Sequence, residues 1–165
     1  RAKFIVLLRN PVERTVSSYY QQKRKNNEPL SMQEALLHEE ERLERLQREL
    51  QHKKLFRKKH SKALREAAYK TRGLYAQQLR QYFSLFDQKQ FFIESAETFF
   101  RAPELVLRNI FQFLDIEKNF VPADLKAKNV HEYPDAPDEV LQELRKYFTK
   151  PNEELFSLLG RRFDW

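Results

Sequence analysis

No cysteine occurs among the 165 residues. That excludes disulfides, thiolate nucleophiles and cysteine-ligated metals. Glycine occurs only twice, at Gly73 and Gly160. Neither lies in the glycine-rich setting that lets backbone N–H groups cradle a phosphate, so the chain holds no Walker loop and no dinucleotide fingerprint. No apolar run reaches the roughly 20 residues a membrane-spanning helix needs, and no signal-peptide pattern opens the chain. Residue 1 is Arg1 rather than a methionine, and a strand pattern follows almost at once. On this reading the chain is trimmed at its N-terminus.

What is present in abundance is charge. Lys and Arg number 31 against 24 Asp and Glu, a net charge of +7, and charged residues are 33% of the chain. With 41% hydrophobic residues and a mean hydropathy of -0.80, the composition fits one globular domain with much exposed helical surface. A basic balance suits an anionic partner: a nucleotide, an acidic glycan, a nucleic acid or a membrane surface. The densest basic stretch is Lys53, Lys54, Arg57, Lys58, Lys59 and Lys62, with Phe56 as its only aromatic. Single-stranded nucleic acids are gripped by aromatics interleaved with cations, so nucleic-acid binding is disfavoured.

The segment Lys3–Tyr20, KFIVLLRNPVERTVSSYY, is the most informative. Phe4–Leu8 is uninterrupted by polar residues and reads as a strand buried on both faces, as in a parallel sheet. Asn10 suits a helix N-cap, Pro11 the first helical position, and Glu13 the acidic position of a capping box. The product is strand, tight turn, helix, with Arg9 at the carboxyl end of the strand. Open α/β sheets bind ligands at that edge. A guanidinium beside a helix N-terminus suits an anion such as phosphate. An arginine ending a strand can equally be a solvated edge.

Met32 to about Lys70 contains no Gly or Pro and reads as one long helix or two consecutive ones. Leu36, Leu43, Leu46 and Leu50 recur at near-heptad spacing, and Leu64 pairs with Ala67 and Ala68. Strict heptads fail after Leu50, where Lys53 and Arg57 take the next stripe positions, so no long coiled coil is expected. The charges form either a solvated helix face with i,i+4 ion pairs or a basic wall that attracts an anionic acceptor. Gly73 is placed to end this helix as a left-handed cap. A helical apolar face follows at Leu74, Leu79, Tyr82, Phe83 and Phe86, then a short strand, Gln90–Glu94. After Ala102-Pro103 comes a helix with Leu105, Leu107, Ile110, Phe111 and Leu114 inward. The order of elements is α/β with parallel strands. Tyr75 is expected as a core tyrosine bonded to a backbone group, the alternative being one that approaches the cofactor or acceptor. Glu97 is expected to cap or position a helix rather than to pair with Glu94 for acid–base work. Phe120–Pro134 is a loop long enough to be functional. The tail reads as two short helices starting at Pro137-Asp138 and Pro151-Asn152, the second closed by Gly160, with Trp165 as an anchor.

Arg9-Asn10-Pro11, Glu13-Arg14, Ser17 and Tyr19 together resemble the 3′-phosphate-binding strand–helix of sulfotransferases that use 3′-phosphoadenosine-5′-phosphosulfate (PAPS). The likeness is to the carbohydrate and heparan-sulfate type and its bacterial relatives. RGLYAQQLRQYF, FFIESAETFF, VLRNIFQFLDI and the C-terminal PNEELFSLLGRRFDW are similar to the same family. The resemblance implies that Arg9 and Ser17 hold the 3′-phosphate of PAPS or of its product PAP. Ser17 lies two turns into the helix, on one stripe with Glu13 and Tyr20, which would let it turn toward the ligand that Arg9 faces. The loop that covers the nucleotide in the family would here use Lys128 and Asn129, then His131 and Tyr133. The Lys-Gly-Arg of the heparan-sulfate enzymes is replaced by Lys128-Asn129-Val130-His131.

The implied fold is the P-loop-NTPase-like three-layer α/β sulfotransferase fold, N-terminally incomplete. The segments are a 3′-phosphate-binding strand–helix at 1–31, a charged helical segment at 32–70, helix–strand–helix at 71–116, a cofactor-covering loop at 117–136 and C-terminal helices at 137–165. The implied reaction is sulfuryl transfer to a hydroxyl or amine of an acceptor, a sugar or glycan. The loop for the 5′-phosphosulfate and the general base are absent from the chain, so no residue is assigned as catalytic and the chain alone is expected to be inactive. No metal site is expected. Family members of the Golgi often carry a cysteine pair, so its absence here favours a cytoplasmic, bacterial protein. The other reading is a non-catalytic helical module in which Met32–Lys70 docks a partner helix.

Overall fold

The computed structural model describes residues 2–52, 57–116, 120, 122, 125 and 134–165. Two strands, β1 (Phe4–Leu8) and β2 (Phe91–Ser95), pair in parallel, with Phe4 opposite Phe91 and Leu8 opposite Ser95. Between them run α1 (Pro11–Arg24), α2 (Met32–Leu37), α3 (Glu39–His52), α4 (Arg57–Ala67), a 3-10 turn at Thr71–Gly73, α5 (Tyr75–Phe83) and a second 3-10 turn at Gln88–Gln90. After β2 come α6 (Ala96–Arg101), α7 (Pro103–Leu114) and α8 (Asp138–Leu159). The expected α/β character and the parallel pairing are both present. The second strand begins and ends one residue later than the sequence suggests, because Asp87 and Gln90 form a capping box around the 3-10 turn before it.

The chain divides into two compact units. The first comprises Arg1–Asn10, Tyr75–Tyr133 and Glu154–Trp165. Its core gathers Leu8 of β1, Tyr75, Ala76 and Leu79 of α5, and Leu155 and Phe156 of α8, with Val6, Ile93, Phe163 and Trp165 against them. Strand pleating sends Val6 and Leu8 into that core and Ile5 and Leu7 to the opposite face. Ile5 and Leu7 remain 44% and 45% exposed. The expectation of burial on both faces therefore fails for β1: among the described residues the face of Phe4, Val6 and Leu8 is the better covered, with only Leu8 buried. Lys3 donates from Nζ to the Phe113 carbonyl, and Phe92 and Phe113 rest 5.9 Å apart, so α7 lies against part of the second face. Within α7, Val106 and Ile110 are the buried residues, and Leu105 points out at 55% exposure. The helix ends in a Schellman cap with Asp115 in the left-handed region.

The second unit comprises Pro11–Leu74 and Pro134–Glu153. Val16 and Tyr19 of α1, Met32, Ala35 and Leu36 of α2, Tyr69, and Val140, Leu144 and Phe148 of α8 form its core. Over its described residues the region 32–67 is helical as α2, α3 and α4, and a break at His38 makes it consecutive helices rather than one. Ser31 and Glu34 close a capping box at the start of α2, and His38 ends it. Buried Glu39 then turns its carboxylate onto the Lys70 N–H, the Thr71 N–H and the Thr71 hydroxyl at 2.8–2.9 Å. A carboxylate on those N–H groups satisfies the amino end of the 3-10 turn. Gly73 is not a left-handed cap. It is buried in that turn, where an added Cβ would lie 2.7 Å from Phe148 Cε1 and 3.0 Å from Pro11 Cβ. Close approach, not backbone freedom, requires glycine here.

The two tail helices expected from Pro151 are one helix, α8, with the proline inside it. Proline removes one i→i−4 hydrogen bond, but its φ is already helical. The buried stripe of Val140, Leu144 and Phe148 continues past it as Leu155 and Phe156, and that burial offsets the lost bond. Gly160 follows with φ +65 and closes the helix as expected.

Candidate anion-binding site

Arg9 leaves β1 one residue after Leu8, at the carboxyl edge of the sheet, and its side chain is half-buried. The turn it sits on is held from both sides. The buried Tyr75 at the start of α5 donates its hydroxyl to the Arg9 carbonyl at 2.8 Å. The next backbone group, the Asn10 N–H, donates to Glu97 Oε1 at 2.8 Å. Parallel register explains the meeting. Leu8 pairs with Ser95, so the residues two steps further on, Asn10 and Glu97, leave the sheet at the same edge. Ser95 is also the N-cap of α6, accepting from the Thr98 N–H at 3.0 Å, which places Glu97 in the first helical turn. An acidic residue is favoured there by the helix dipole. Tyr75 and Glu97 thus take the roles expected of them, a core tyrosine bonded to backbone and a positioning carboxylate.

Glu97 has a second partner that the sequence does not announce. Trp165 donates from Nε1 to Glu97 Oε2 at 3.0 Å. Its ring stacks on Phe163 at 4.8 Å and meets Tyr75 at 6.0 Å. Glu94 is engaged elsewhere: it accepts from the Ser95 N–H and pairs with Arg161, which also donates to the Ile93 carbonyl. The two carboxylates are thus bonded to different groups.

Ser17, the seventh residue of α1, lies in the second unit and is half-buried. The helix buries Pro11, Thr15, Val16, Tyr19 and Gln22, and Ser17 lies on another face. Thr15 shows the contrast: fully buried, it donates its hydroxyl to the Pro11 carbonyl at 2.7 Å, the local back-bonding habit of helical threonine. Arg14 reaches the Tyr69 carbonyl at 3.0 Å. Lys128, Asn129, His131 and Tyr133 lie outside the described residues, as do Lys53, Lys54 and Phe56 of the basic stretch.

A buried polar cluster in the second unit has no counterpart in the sequence motifs. Glu28 Oε2 pairs with Arg42 at 2.8 Å and accepts the Tyr69 hydroxyl at 2.7 Å, while Glu28 Oε1 accepts the Leu30 N–H at 3.2 Å. Burial pushes the Glu28 carboxyl up, but the Arg42 and Tyr69 bonds and the Leu30 N–H together hold it below the usual carboxylate range. Burial, and then the bond to Glu28, push the Tyr69 phenol well above its ordinary value. Nothing in the periodicity marks Glu28 or Tyr69, because only the tertiary fold brings them together. Among the described residues no group of three or more His, Asp or Glu is placed to hold a metal ion. No helix there is long and apolar enough to cross a membrane.

In the first unit, Arg9 carries a guanidinium, a group whose planar fork matches a phosphate, on a braced turn. In the second unit, the Ser17 hydroxyl lies on a half-buried stretch of α1. The sulfotransferase domain family model matches residues 1–154. The crystal structure of a sulfotransferase from Alicyclobacillus acidocaldarius superposes with a TM-score of 0.73 at 30% identity, over 98% of this chain and 56% of that one. The membrane-associated sulfotransferase kil1 of Dictyostelium discoideum is 33% identical over 94 residues, 57% of this chain and 20% of that protein. The chain thus spans about half the length of the solved relative and a fifth of the curated one.

Proposed function

The chain belongs to the sulfotransferase domain family, and from that premise we propose that it supplies the 3′-phosphate-binding part of a PAPS-dependent sulfotransferase. The reaction is sulfuryl transfer to a hydroxyl or amine of an acceptor, a carbohydrate on this reading. PAPS, when bound, supplies the activated sulfuryl group; the residues of this chain bind and orient its nucleotide end. The observation that carries the reading is the Arg9 turn, a guanidinium at the carboxyl edge of a parallel sheet with its backbone fixed by Tyr75 and Glu97. Arg9 would form a charge-assisted fork to the 3′-phosphate and Ser17 would add a neutral hydroxyl donor. Lys128 and Asn129, then His131 and Tyr133, would cover the nucleotide from their loop. The net charge of +7 favours an anionic cofactor and an acidic acceptor. The absence of cysteine and the bacterial source of the solved relative support a bacterial, cytoplasmic setting.

Calorimetric titration of the intact protein with 3′,5′-adenosine bisphosphate tests the site. A charge-assisted bond contributes about 1.5–3 kcal/mol. Arg9→Ala should therefore weaken binding roughly 10- to 100-fold. Ser17→Ala removes a neutral bond of about 0.5–1.5 kcal/mol and should cost roughly 2- to 10-fold. Unchanged affinity in Arg9→Ala refutes the site. The 165-residue chain alone is expected to transfer no sulfuryl group, since it carries no loop for the 5′-phosphosulfate; transfer by the isolated chain would overturn that part of the reading.

A further inference from the structure

We propose that Glu97 and Trp165 are positioning residues for Arg9, with the end of the chain acting as a latch on the anion-binding turn. The proposal rests on the nucleotide reading of that turn. Glu97 uses its two oxygens on two different parts of the first unit: Oε1 on the Asn10 N–H beside Arg9, and Oε2 on the Trp165 indole. A carboxylate bonded through only one oxygen can swing about its terminal torsion; bonded through both, its plane is set. The Trp165 bond thereby fixes the direction in which Oε1 holds Asn10. From the other side Tyr75 holds the Arg9 carbonyl, and the Tyr75 ring rests against Trp165. The peptide that joins Arg9 to Asn10 thus has its carbonyl oxygen and its N–H both tied to side chains that contact Trp165.

Two things follow for recognition of an anion. The Asn10 N–H, otherwise a natural phosphate donor at this edge, is already directed at Glu97, so the Arg9 side chain is the main positive group the turn offers. Its reach depends on a backbone whose orientation the latch fixes. Pre-organisation of this kind raises affinity by removing an ordering cost from the bound state. Neither Glu97 nor Trp165 needs to touch the ligand.

The test is a double-mutant cycle on 3′,5′-adenosine bisphosphate binding in the intact protein. Trp165→Phe removes the Nε1–H donor but keeps a ring to stack on Phe163. It should weaken binding about three- to tenfold in the presence of Arg9. In the Arg9→Ala background the same change should have no further effect, because the residue the latch serves is gone. Glu97→Gln gives a second route where Trp165→Phe folds poorly. The amide can accept only one of the two bonds and turns an N–H toward the other donor, so the same Arg9-dependent loss is expected. A loss of affinity that depends on Arg9 supports the latch. Unchanged affinity in folded Trp165→Phe and Glu97→Gln overturns it, and so does an equal loss with and without Arg9, the mark of a general structural effect. If the wild-type protein binds no bisphosphate, the nucleotide reading itself fails and the proposal with it, an outcome distinguishable from the others before any variant is made.

Discussion

Gly73→Ala is a sensitive test of how the second unit is packed. Two effects oppose each other. Alanine restricts the unfolded chain, which stabilises by about 0.4–1 kcal/mol where the native backbone is allowed. It is allowed here, since the φ of Gly73 lies outside the left-handed region. Against this, the new methyl would lie 2.7 and 2.8 Å from Phe148 Cε1 and Cζ and 3.0 Å from Pro11 Cβ. Phe148 is fully buried and Pro11 opens α1, so neither can give way freely. Overpacking of this kind costs about 1–3 kcal/mol, and it should win by roughly 1–2 kcal/mol. In a chain of this size that lowers Tm by about 2–8 °C, read by circular dichroism melts of the unit's helices. Phe148→Leu removes the two nearest atoms and leaves only Pro11 Cβ at 3.0 Å, so in that background the Gly73→Ala penalty should shrink. Gly160→Ala is the contrast: nothing lies within 4 Å, but φ is +65. Its penalty of about 1–2 kcal/mol is conformational and should be indifferent to Phe148→Leu. A Gly73→Ala penalty undiminished alongside Phe148→Leu would refute the steric account.

Two further variants probe the polar cluster and the long helix. Glu28→Gln leaves Arg42 buried beside an uncharged partner and should cost about 3 kcal/mol in chemical denaturation at neutral pH. Because the Glu28 carboxyl is held below its ordinary range, its contribution is complete above about pH 5 and is lost as pH falls through the depressed value. Acidification should therefore narrow the gap between wild type and Glu28→Gln; a gap that does not change with pH would contradict the ion-pair role. Pro151→Ala restores the N–H that α8 lacks at that point and should raise stability by about 1 kcal/mol. A lower Tm in that variant would mean that the proline is needed for the course of the helix.

Local chemistry makes much of the fold legible in the order of residues. The apolar run of β1, the left-handed end at Gly160 and Pro103 opening α7 all act within a few residues, and the structure has them where the sequence puts them. The misreadings share a cause. Pro151 is locally a helix breaker, yet Phe148 and Leu155 are both buried, and the apolar stripe carries the helix through. Gly73 is locally a cap, yet its neighbour in space is Phe148, 75 positions later in the chain. Met32–Lys70 has no breaker, yet it is interrupted at His38, where the buried carboxylate of Glu39 turns to the Thr71 N–H. In each case a contact between distant residues overrides a short-range preference.

The candidate site divides along the same line. Arg9 could be found from sequence because a strand end, a turn and a helix start are local signals. What braces Arg9 could not, since Tyr75, Glu97 and Trp165 are joined through hydrogen bonds that span 66, 87 and 68 positions. The Asn10 N–H shows the difference in one atom. By spacing it is placed for a local capping box with Glu13, three residues on; the fold directs it at Glu97 as well as any local partner, because parallel pairing of Leu8 with Ser95 carries both strands off the sheet at the same edge. The non-local bond ties it to β2, α6 and the end of the chain, and so converts a strand-end arginine, which on its own could be a solvated edge, into a side chain presented from a fixed backbone.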